Sequence, residues 1–287
     1  MDAAGAVGRA LRPAGLYAAS ARRVLRARGL HGLLGDRLRG MDDRLVFVVG
    51  SPRSGTTFLA GVIGEAPGFV DLTEVTPLKA AIPELVQQPR AEAAKSIHRV
   101  LERVRLLALV PGWRGVEQTP ETAFVLAAAL DAYPRARAVH LVRDGRDVAC
   151  SLLERGWLRA GREGADDAKQ AYGGAARFWV DPAQTAEFEA ASDAARAAWA
   201  WRSYVGAARS VEDPRVLEVR YESLAGDPAT EAERLADHLG LAPAQFVASL
   251  GRVHDNSIGR FRRDLAPEQI AEVEREAGEL LLELGYA

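Results

Sequence analysis

The residues best suited to binding an anion follow a short apolar segment near the start of the chain. Leu45–Val49 is a continuous apolar run, typical of a strand buried on both faces. The segment Gly50-Ser51-Pro52-Arg53-Ser54-Gly55 comes next, and a helical stretch begins at Thr56. In such a strand–loop–helix unit, the loop N–H groups and the helix N-terminus attract a phosphate. Glycines let the backbone turn tightly around it. The sequence therefore predicts an anion site here.

The loop lacks the lysine that ATPases and GTPases use. The spacing from Gly50 to Gly55 matches their loop, which requires Lys and then Ser or Thr after the second glycine. Here Thr56 and Thr57 follow directly, and the cation is Arg53, inside the loop. This pattern argues against an ordinary ATPase or GTPase.

A second candidate anion site follows another predicted strand, Ala138–Val142. Arg143-Asp144-Gly145-Arg146-Asp147 comes directly after it, and Ser151 lies eight residues beyond Arg143. An arginine can bind a phosphate through two hydrogen bonds, and a serine hydroxyl can donate to the same group. The alternative is an ordinary loop with a solvated charge cluster. A second strand-end motif of this type weighs against that alternative.

An acidic residue follows a third predicted strand. Phe69–Leu72 forms a short strand, and Thr73-Glu74-Val75 leaves it. Loops at the carboxyl ends of parallel strands are where α/β proteins bind their ligands, so Glu74 is placed for chemistry. The alternative is a solvated acid near a helix start, where glutamate is favoured anyway.

Composition limits the classes of protein that this chain can be. It has 287 residues, 48% of them hydrophobic, enough for one large α/β domain or two small ones. A net charge of −2 gives no general bias toward nucleic acid or membrane. The single cysteine excludes an internal disulfide framework, and no apolar run approaches transmembrane length. We therefore expect a cytoplasmic protein without an integral membrane segment or a nucleic-acid partner.

Residues 1–43 differ in character from the rest of the chain. They are rich in arginine, and their apolar residues form an irregular helical stripe. Such a segment can touch a membrane or act as a transit peptide. We favour a helical N-terminal extension packed on a single main domain, residues 44–287.

Taken together, the motifs resemble those of sulfotransferases that use 3′-phosphoadenosine 5′-phosphosulfate (PAPS). Pro52–Thr57 is similar to their 5′-phosphosulfate loop, and Arg143–Ser151 is similar to their 3′-phosphate motif. Val216–Leu224 resembles a later strand whose tyrosine lies near the adenine, and Ser257–Arg263 resembles a basic C-terminal lid. The likeness is closest to bacterial and tyrosylprotein sulfotransferases. It implies an α/β, three-layer P-loop-type fold with a central parallel sheet flanked by helices.

The resemblance implies a role for each motif residue. One continuous segment would hold the 5′-phosphosulfate and stack on the adenine: Arg53, Ser54, Gly55, Thr56, Thr57 and Phe58. The 3′-phosphate would be bound by Arg143, Ser151 and Arg260. The adenine edge would be bound by Tyr221. Glu74 matches the catalytic glutamate of tyrosylprotein sulfotransferases. Arg53 would neutralise charge on the oxygen that leaves the sulfuryl group.

The chain departs from the family pattern at Gln118-Thr119-Pro120. Relatives have a lysine or a histidine at the position of Gln118, and a glutamine cannot act as a base. The base is therefore expected to be Glu74. The implied reaction is in-line transfer of a sulfuryl group from PAPS to a hydroxyl or amine of a small molecule or glycan, which leaves 3′,5′-bisphosphoadenosine (PAP). No metal is expected, since the cations are arginines.

Two other functions stay open at the level of sequence. One is a small-molecule kinase of P-loop type, which the missing lysine and the Arg143–Ser151 motif oppose. The other is a non-catalytic nucleotide-binding protein, in which Gln118 would reflect lost activity.

Overall fold

The computed structural model describes residues 15–26, 45–108, 114–158 and 178–286. In these described residues, five strands form one sheet in the order β2-β3-β1-β4-β5. The strands are β1 (Leu45–Val49), β2 (Phe69–Thr73), β3 (Arg114–Glu117), β4 (Arg137–Val142) and β5 (Val216–Arg220). β3 pairs in parallel with both β1 and β2, and Val46 lies opposite Val116. This confirms the predicted α/β class with a central parallel sheet flanked by helices.

Helices separate the strands along the chain. The helices are α1 (residues 15–26), α2 (Thr56–Gly64), α3 (Thr76–Leu85), α4 (Arg90–Leu107), α5 (Leu126–Ala132), α6 (Gly145–Arg155), α7 (Thr185–Ala190), α8 (Asp193–Arg209), α9 (Tyr221–Gly226), α10 (Pro228–Leu239), α11 (Ala244–Leu250), α12 (Phe261–Asp264) and α13 (Pro267–Glu283). Short 3₁₀ helices cover Pro120–Val125 and Pro182–Gln184.

Several helix ends follow directly from sequence. Asp227 accepts a hydrogen bond from the Thr230 N–H and begins α10. Gly240, with a φ of +66°, ends the same helix in the left-handed conformation that glycine adopts without strain. Pro83 lies inside α3, although a proline normally breaks a helix interior. The helix loses one hydrogen bond there, one turn from its end, while Ile82 and Leu85 stay buried.

The described residues form two compact units. Unit 1 contains those up to Val48 and from Leu59 to Ala138, and unit 2 contains Val49–Phe58 and those from Val139 onward. In unit 1, α4 packs on α5, and the ring of Phe47 lies 6.4 Å from that of Tyr133. The proposed boundary between residues 1–43 and 44–287 stays a prediction, and residues 1–14 and 27–43 lie outside the described part.

Unit 2 is built on helix packing around α8. This helix contacts α6 and α13, and its Trp201 and Tyr204 are fully buried. Tyr204 meets Phe178 edge-on at 6.4 Å. Each fully buried side chain of this size contributes about 1.5–3 kcal/mol. The same packing fixes α6, the helix that follows the second anion motif.

Candidate active site

Two glycines allow the backbone conformation of the loop after β1. Gly50 has a φ of +156°, and a Cβ there would lie 2.4 Å from the carbonyl oxygen of Leu141. Gly55 has a φ of +100°, and a Cβ there would lie 2.9 Å from the ring of Tyr221. Both positions exclude a side chain. The loop is thereby held against the end of β4 and the start of α9, all within unit 2.

Arg53 stands in this loop with a φ of +73°, which is rare for a residue with a side chain. Its Nε donates to Ser151 Oγ at 3.0 Å, and its guanidinium carbon lies 5.7 Å from the centre of the Trp157 ring. Burial, followed by the positive charges of Arg155 and Arg143, lowers the pKa of Arg53. The three arginines concentrate positive charge, and such a cluster favours an anionic ligand.

Arg143 occupies the carboxyl end of β4. Its carbonyl oxygen accepts a hydrogen bond from Trp201 Nε1 at 2.9 Å, which fixes the main chain. Its Nη2 donates to the carbonyl of Ser257 at 2.5 Å, and its guanidinium lies 4.7 Å from the centre of the Tyr221 ring. Its Nε is buried and has no hydrogen-bond partner among the described residues. An unpaired buried donor on a cation suits it to a phosphate oxygen.

The acids of the second motif have structural roles. Asp147 is fully buried, and its carboxylate accepts hydrogen bonds from the N–H groups of Gly259 at 2.7 Å and Phe261 at 3.0 Å. It thus holds the segment that carries Arg260. The guanidinium of Arg260 donates to Asp264 at 2.7 Å and to Glu154 at 3.2 Å, so two carboxylates already engage it.

The other predicted cofactor residues lie around the loop or on its helix. Ser54 is fully buried, and its Oγ has no partner among the described residues. Thr56 is buried, Thr57 is exposed and Phe58 is half-buried. Tyr221 begins α9, one residue after β5 ends, and its hydroxyl donates to the carbonyl of His254 at 2.9 Å.

Glu74 lies in unit 1, in the turn between β2 and α3. Its carboxylate accepts a hydrogen bond from Lys79 Nζ at 2.8 Å, and the same Nζ lies 3.7 Å from Glu121 Oε2. Thr73, directly before it, has a φ of +57°. The N–H of Val75, directly after it, donates to Thr119 Oγ1 at 3.0 Å. The turn is held firmly on both sides of Glu74.

Gln118, the departure from the family pattern, is buried beside that turn. Its N–H donates to the carbonyl of Thr73 at 3.4 Å. Before it, Glu117 accepts hydrogen bonds from the Thr119 N–H at 2.8 Å and the Thr122 hydroxyl at 3.1 Å. Complete burial nevertheless raises the pKa of Glu117 to about 7. The loop therefore supports the Glu74 turn through its main chain and Thr119.

The structure thus brings most predicted cofactor residues together in unit 2, and places Glu74 with Gln118 in unit 1. The family model described as "Sulfotransferase family" matches residues 92–245, just over half of the chain. The chain belongs to the sulfotransferase family. The matched segment contains the Arg143–Ser151 motif and Gln118, and begins after the Arg53 loop and Glu74. The predicted family resemblance is confirmed.

Solved structures of other sulfotransferases resemble this sulfotransferase in fold. STF9 from Mycobacterium avium is 14% identical, with a TM-score of 0.50 over 85% of this chain and 78% of that chain. The sulfotransferase domain from the curacin biosynthetic pathway is 15% identical, with a TM-score of 0.49 over 82% of this chain and 96% of that one. Mouse SULT7A1, solved with PAP, is 15% identical, with a TM-score of 0.45 over 87% of this chain and 88% of that chain. No curated protein matches the chain.

Sequence reasoning missed the residues that support Arg143 in this sulfotransferase. A Cβ at Gly145 would lie 2.6 Å from the Trp201 ring, so this glycine lets the indole approach the Arg143 carbonyl. The sequence around Trp201 gives no sign of this role, and the one available signal is the glycine between two charged pairs in the motif. Trp157, beside Arg53, carries no sequence signal.

Two further features concern only the part of the chain that the structure describes. No group of three or more His, Cys, Asp or Glu side chains there could hold a metal ion. None of the helices there has both the length and the apolar character needed to span a membrane.

The buried Glu117 predicts a pH-dependent stability. Because its pKa is raised in the folded state, its contribution is fully present below about pH 4.5 and is lost as pH rises through about 7. The raised pKa corresponds to a change of roughly 3 kcal/mol in the free energy of unfolding. We expect the Glu117→Gln variant not to lose this stability between pH 5 and pH 7.5. The measurement is the free energy of unfolding in urea at each pH. The exposed Glu84→Gln is the control, and parallel pH curves for wild type and Glu117→Gln would contradict the prediction.

Proposed function

We propose that this sulfotransferase transfers the sulfuryl group of PAPS to a hydroxyl or amine of a small molecule or glycan, and releases PAP. The observation that carries the proposal is the hydrogen bond of 3.0 Å from Arg53 Nε to Ser151 Oγ, with Arg143 beside them. It joins the two anion motifs, which are 90 residues apart in sequence, in one cluster. PAPS carries two anionic groups, at its 5′ and 3′ positions, and each motif can bind one. The cytoplasmic location expected from sequence belongs to this proposal.

The residues present fit such a cofactor. Ser54 Oγ and Arg143 Nε are buried donors without partners among the described residues, and phosphate oxygens are suitable acceptors for both. Arg53, Ser54 and the amides through Thr57 would hold the 5′-phosphosulfate. Arg143 and Ser151 would hold the 3′-phosphate, with Arg260 joining them after it leaves Glu154 or Asp264. Phe58 and Tyr221 would flank the adenine.

Sulfuryl transfer needs positioning and charge stabilisation more than covalent chemistry from the protein. PAPS, when bound, supplies the activated sulfuryl group. The Arg53 guanidinium then stabilises the negative charge that develops on the leaving oxygen, since charge-assisted hydrogen bonds to such oxygens are the strong ones. In the free protein, the hydrogen bond to Ser151 Oγ and the contact with the Trp157 ring hold that side chain at the loop.

Glu74 is the proposed general base. It lies at the carboxyl end of β2, and it matches the catalytic glutamate of related enzymes. A base must take the proton from the acceptor within hydrogen-bond distance. In the free protein its partner is Lys79, which also faces Glu121, so the Lys79 charge stays balanced while Glu74 turns to an acceptor.

PAP is expected to raise the thermal stability of the protein more than ATP with Mg²⁺ does. A ligand that binds only the folded state stabilises it by about 2.7 kcal/mol at 100 times its Kd, or roughly 5 °C for a chain of this size. Differential scanning fluorimetry with PAP, adenosine 5′-monophosphate and ATP–Mg²⁺ makes the comparison. Equal or stronger stabilisation by ATP–Mg²⁺ would favour the kinase. Stabilisation by PAP without transfer to any acceptor in a PAPS assay would favour the non-catalytic alternative.

A further inference from the structure

The helix α1 is packed into unit 1 by its own side chains. Ser20 and Val24 are fully buried, and Ala21 is 5% exposed. The Tyr17 ring lies 6.0 Å from the guanidinium of Arg103 on α4. This helix therefore belongs to the same compact unit as β2, α3 and Glu74.

Two adjacent arginines of α1 have different surroundings. Arg22 is exposed, and its one hydrogen bond among the described residues goes to the carbonyl of Ala18 in its own helix, at 3.2 Å. Arg23 is half-buried, and its Nη2 donates to the carbonyl of Glu74 at 3.2 Å and to the Thr76 hydroxyl. Arg23 thus binds the main chain at Glu74 and the side chain two residues later, across a sequence distance of more than 50 residues.

The turn that Arg23 contacts has a backbone conformation that its own residues do not favour. Thr73 has a φ of +57°, which costs energy for a β-branched residue. Its N–H donates to Asp71 Oδ1 at 2.7 Å, and the Val75 N–H donates to Thr119 Oγ1. These bonds hold the residues on either side of Glu74, whereas Arg23 holds the carbonyl of Glu74 itself. The Nη2 group is suited to this, because its two N–H bonds can donate to two acceptors at once.

We propose that Arg23 is a positioning residue for Glu74, and that α1 contributes to the active site through Arg23. The inference rests on the proposed function, in which Glu74 is the base. Arg23 fixes the peptide from which the Glu74 side chain extends, and Lys79 fixes the carboxylate. Among the described residues, Arg23 from α1 donates to the Glu74 carbonyl, Lys79 from α3 pairs with its carboxylate, and Glu121 lies near Lys79. A displacement of about 1 Å at a catalytic group costs up to about 10²-fold in rate, so loss of this support should reduce turnover.

The test is a double-mutant cycle with a matched control. Arg23→Met is expected to lower kcat about tenfold, with an unchanged KM for PAPS and an unchanged PAP-induced thermal shift. Arg22→Met, one residue away, should behave as wild type, and Arg23→Lys should recover part of the loss. In the Glu74→Gln background, Arg23→Met should cost less than about twofold, because a residue that acts through Glu74 has nothing further to remove.

Each outcome of the cycle separates this inference from the proposed function. An equal loss from Arg23→Met in both backgrounds, with Glu74→Gln impaired, would overturn the positioning role and leave the base in place. Full activity of Glu74→Gln would overturn the base assignment and the positioning role with it. Hydrogen–deuterium exchange over residues 73–79 gives a readout that needs no activity. Exchange should rise in Arg23→Met and stay unchanged in Arg22→Met, and unchanged exchange in both would overturn the inference.

Discussion

Glu74→Gln is expected to fold normally, to bind PAP with near-normal affinity and to lose about 10²–10⁴-fold in turnover with hydroxyl acceptors. The amide keeps the shape of the side chain and can still accept a hydrogen bond from Lys79, while Lys79 keeps Glu121 as a second partner. Only the ability to take a proton is lost. The measurement is kcat with PAPS and an unionised alcohol, alongside the PAP-induced thermal shift.

Two comparisons sharpen this result. An acceptor already ionised at the assay pH should be partly spared, because it has no proton to be removed. Glu84→Gln, an exposed glutamate on the same helix as Lys79, makes the same substitution and should leave turnover unchanged. If Glu74→Gln kept most of its activity on the unionised alcohol, another group or the substrate itself would have to supply the base.

The strand ends and their loops could be predicted from sequence because each rests on a local pattern. The apolar run Leu45–Val49 is a strand with every residue buried, and Gly50 and Gly55 adopt the positive φ angles that the turn requires. Similarly, the Asp227 cap and the Gly240 terminus of α10 lie where the residue types place them. Local chemistry decides these features, so a single sequence contains the information.

The support of the site could not be predicted in the same way, since it depends on contacts between distant residues. Nothing near Trp201 in sequence indicates that its indole holds the carbonyl of Arg143. A helical extension packed on the main domain is the favoured prediction for residues 1–43, but nothing in their sequence indicates that Arg23 lies against the Glu74 turn. Pro83 predicts a helix break, but buried neighbours keep the helix intact. In each case tertiary packing overrides a local tendency.

Glu117 illustrates the same limit for an ionisable group. A glutamate at a strand end is normally expected to be solvated, and its sequence neighbours give no sign of complete burial. The structure instead encloses it with hydrogen bonds from Thr119 and Thr122. Its pKa and its effect on stability are consequences of that enclosure and not of the residue type.

Arg143→Lys is expected to weaken PAP binding about 10- to 100-fold, the range for losing hydrogen bonds to a charged group. The guanidinium reaches the carbonyls of Arg53 and Ser257 with two nitrogens and leaves Nε for a further acceptor, whereas an ammonium is a single point. Substituting the side chain leaves the bond from Trp201 to the main-chain carbonyl available, so folding should be near normal. The dissociation constant of PAP, measured by calorimetry, gives the result.

The discriminating ligand for Arg143 is adenosine 5′-phosphosulfate, which lacks the 3′-phosphate. Because Arg143 is proposed to bind that phosphate, Arg143→Lys should weaken binding of adenosine 5′-phosphosulfate far less than binding of PAP. Arg202→Lys makes the same exchange on the exposed face of α8, where Arg202 pairs with Glu276, and should change neither affinity. An equal loss for the two ligands would place Arg143 near the 5′ side or in a general electrostatic role. A loss confined to PAP would assign the 3′-phosphate to Arg143, because only PAP carries that group.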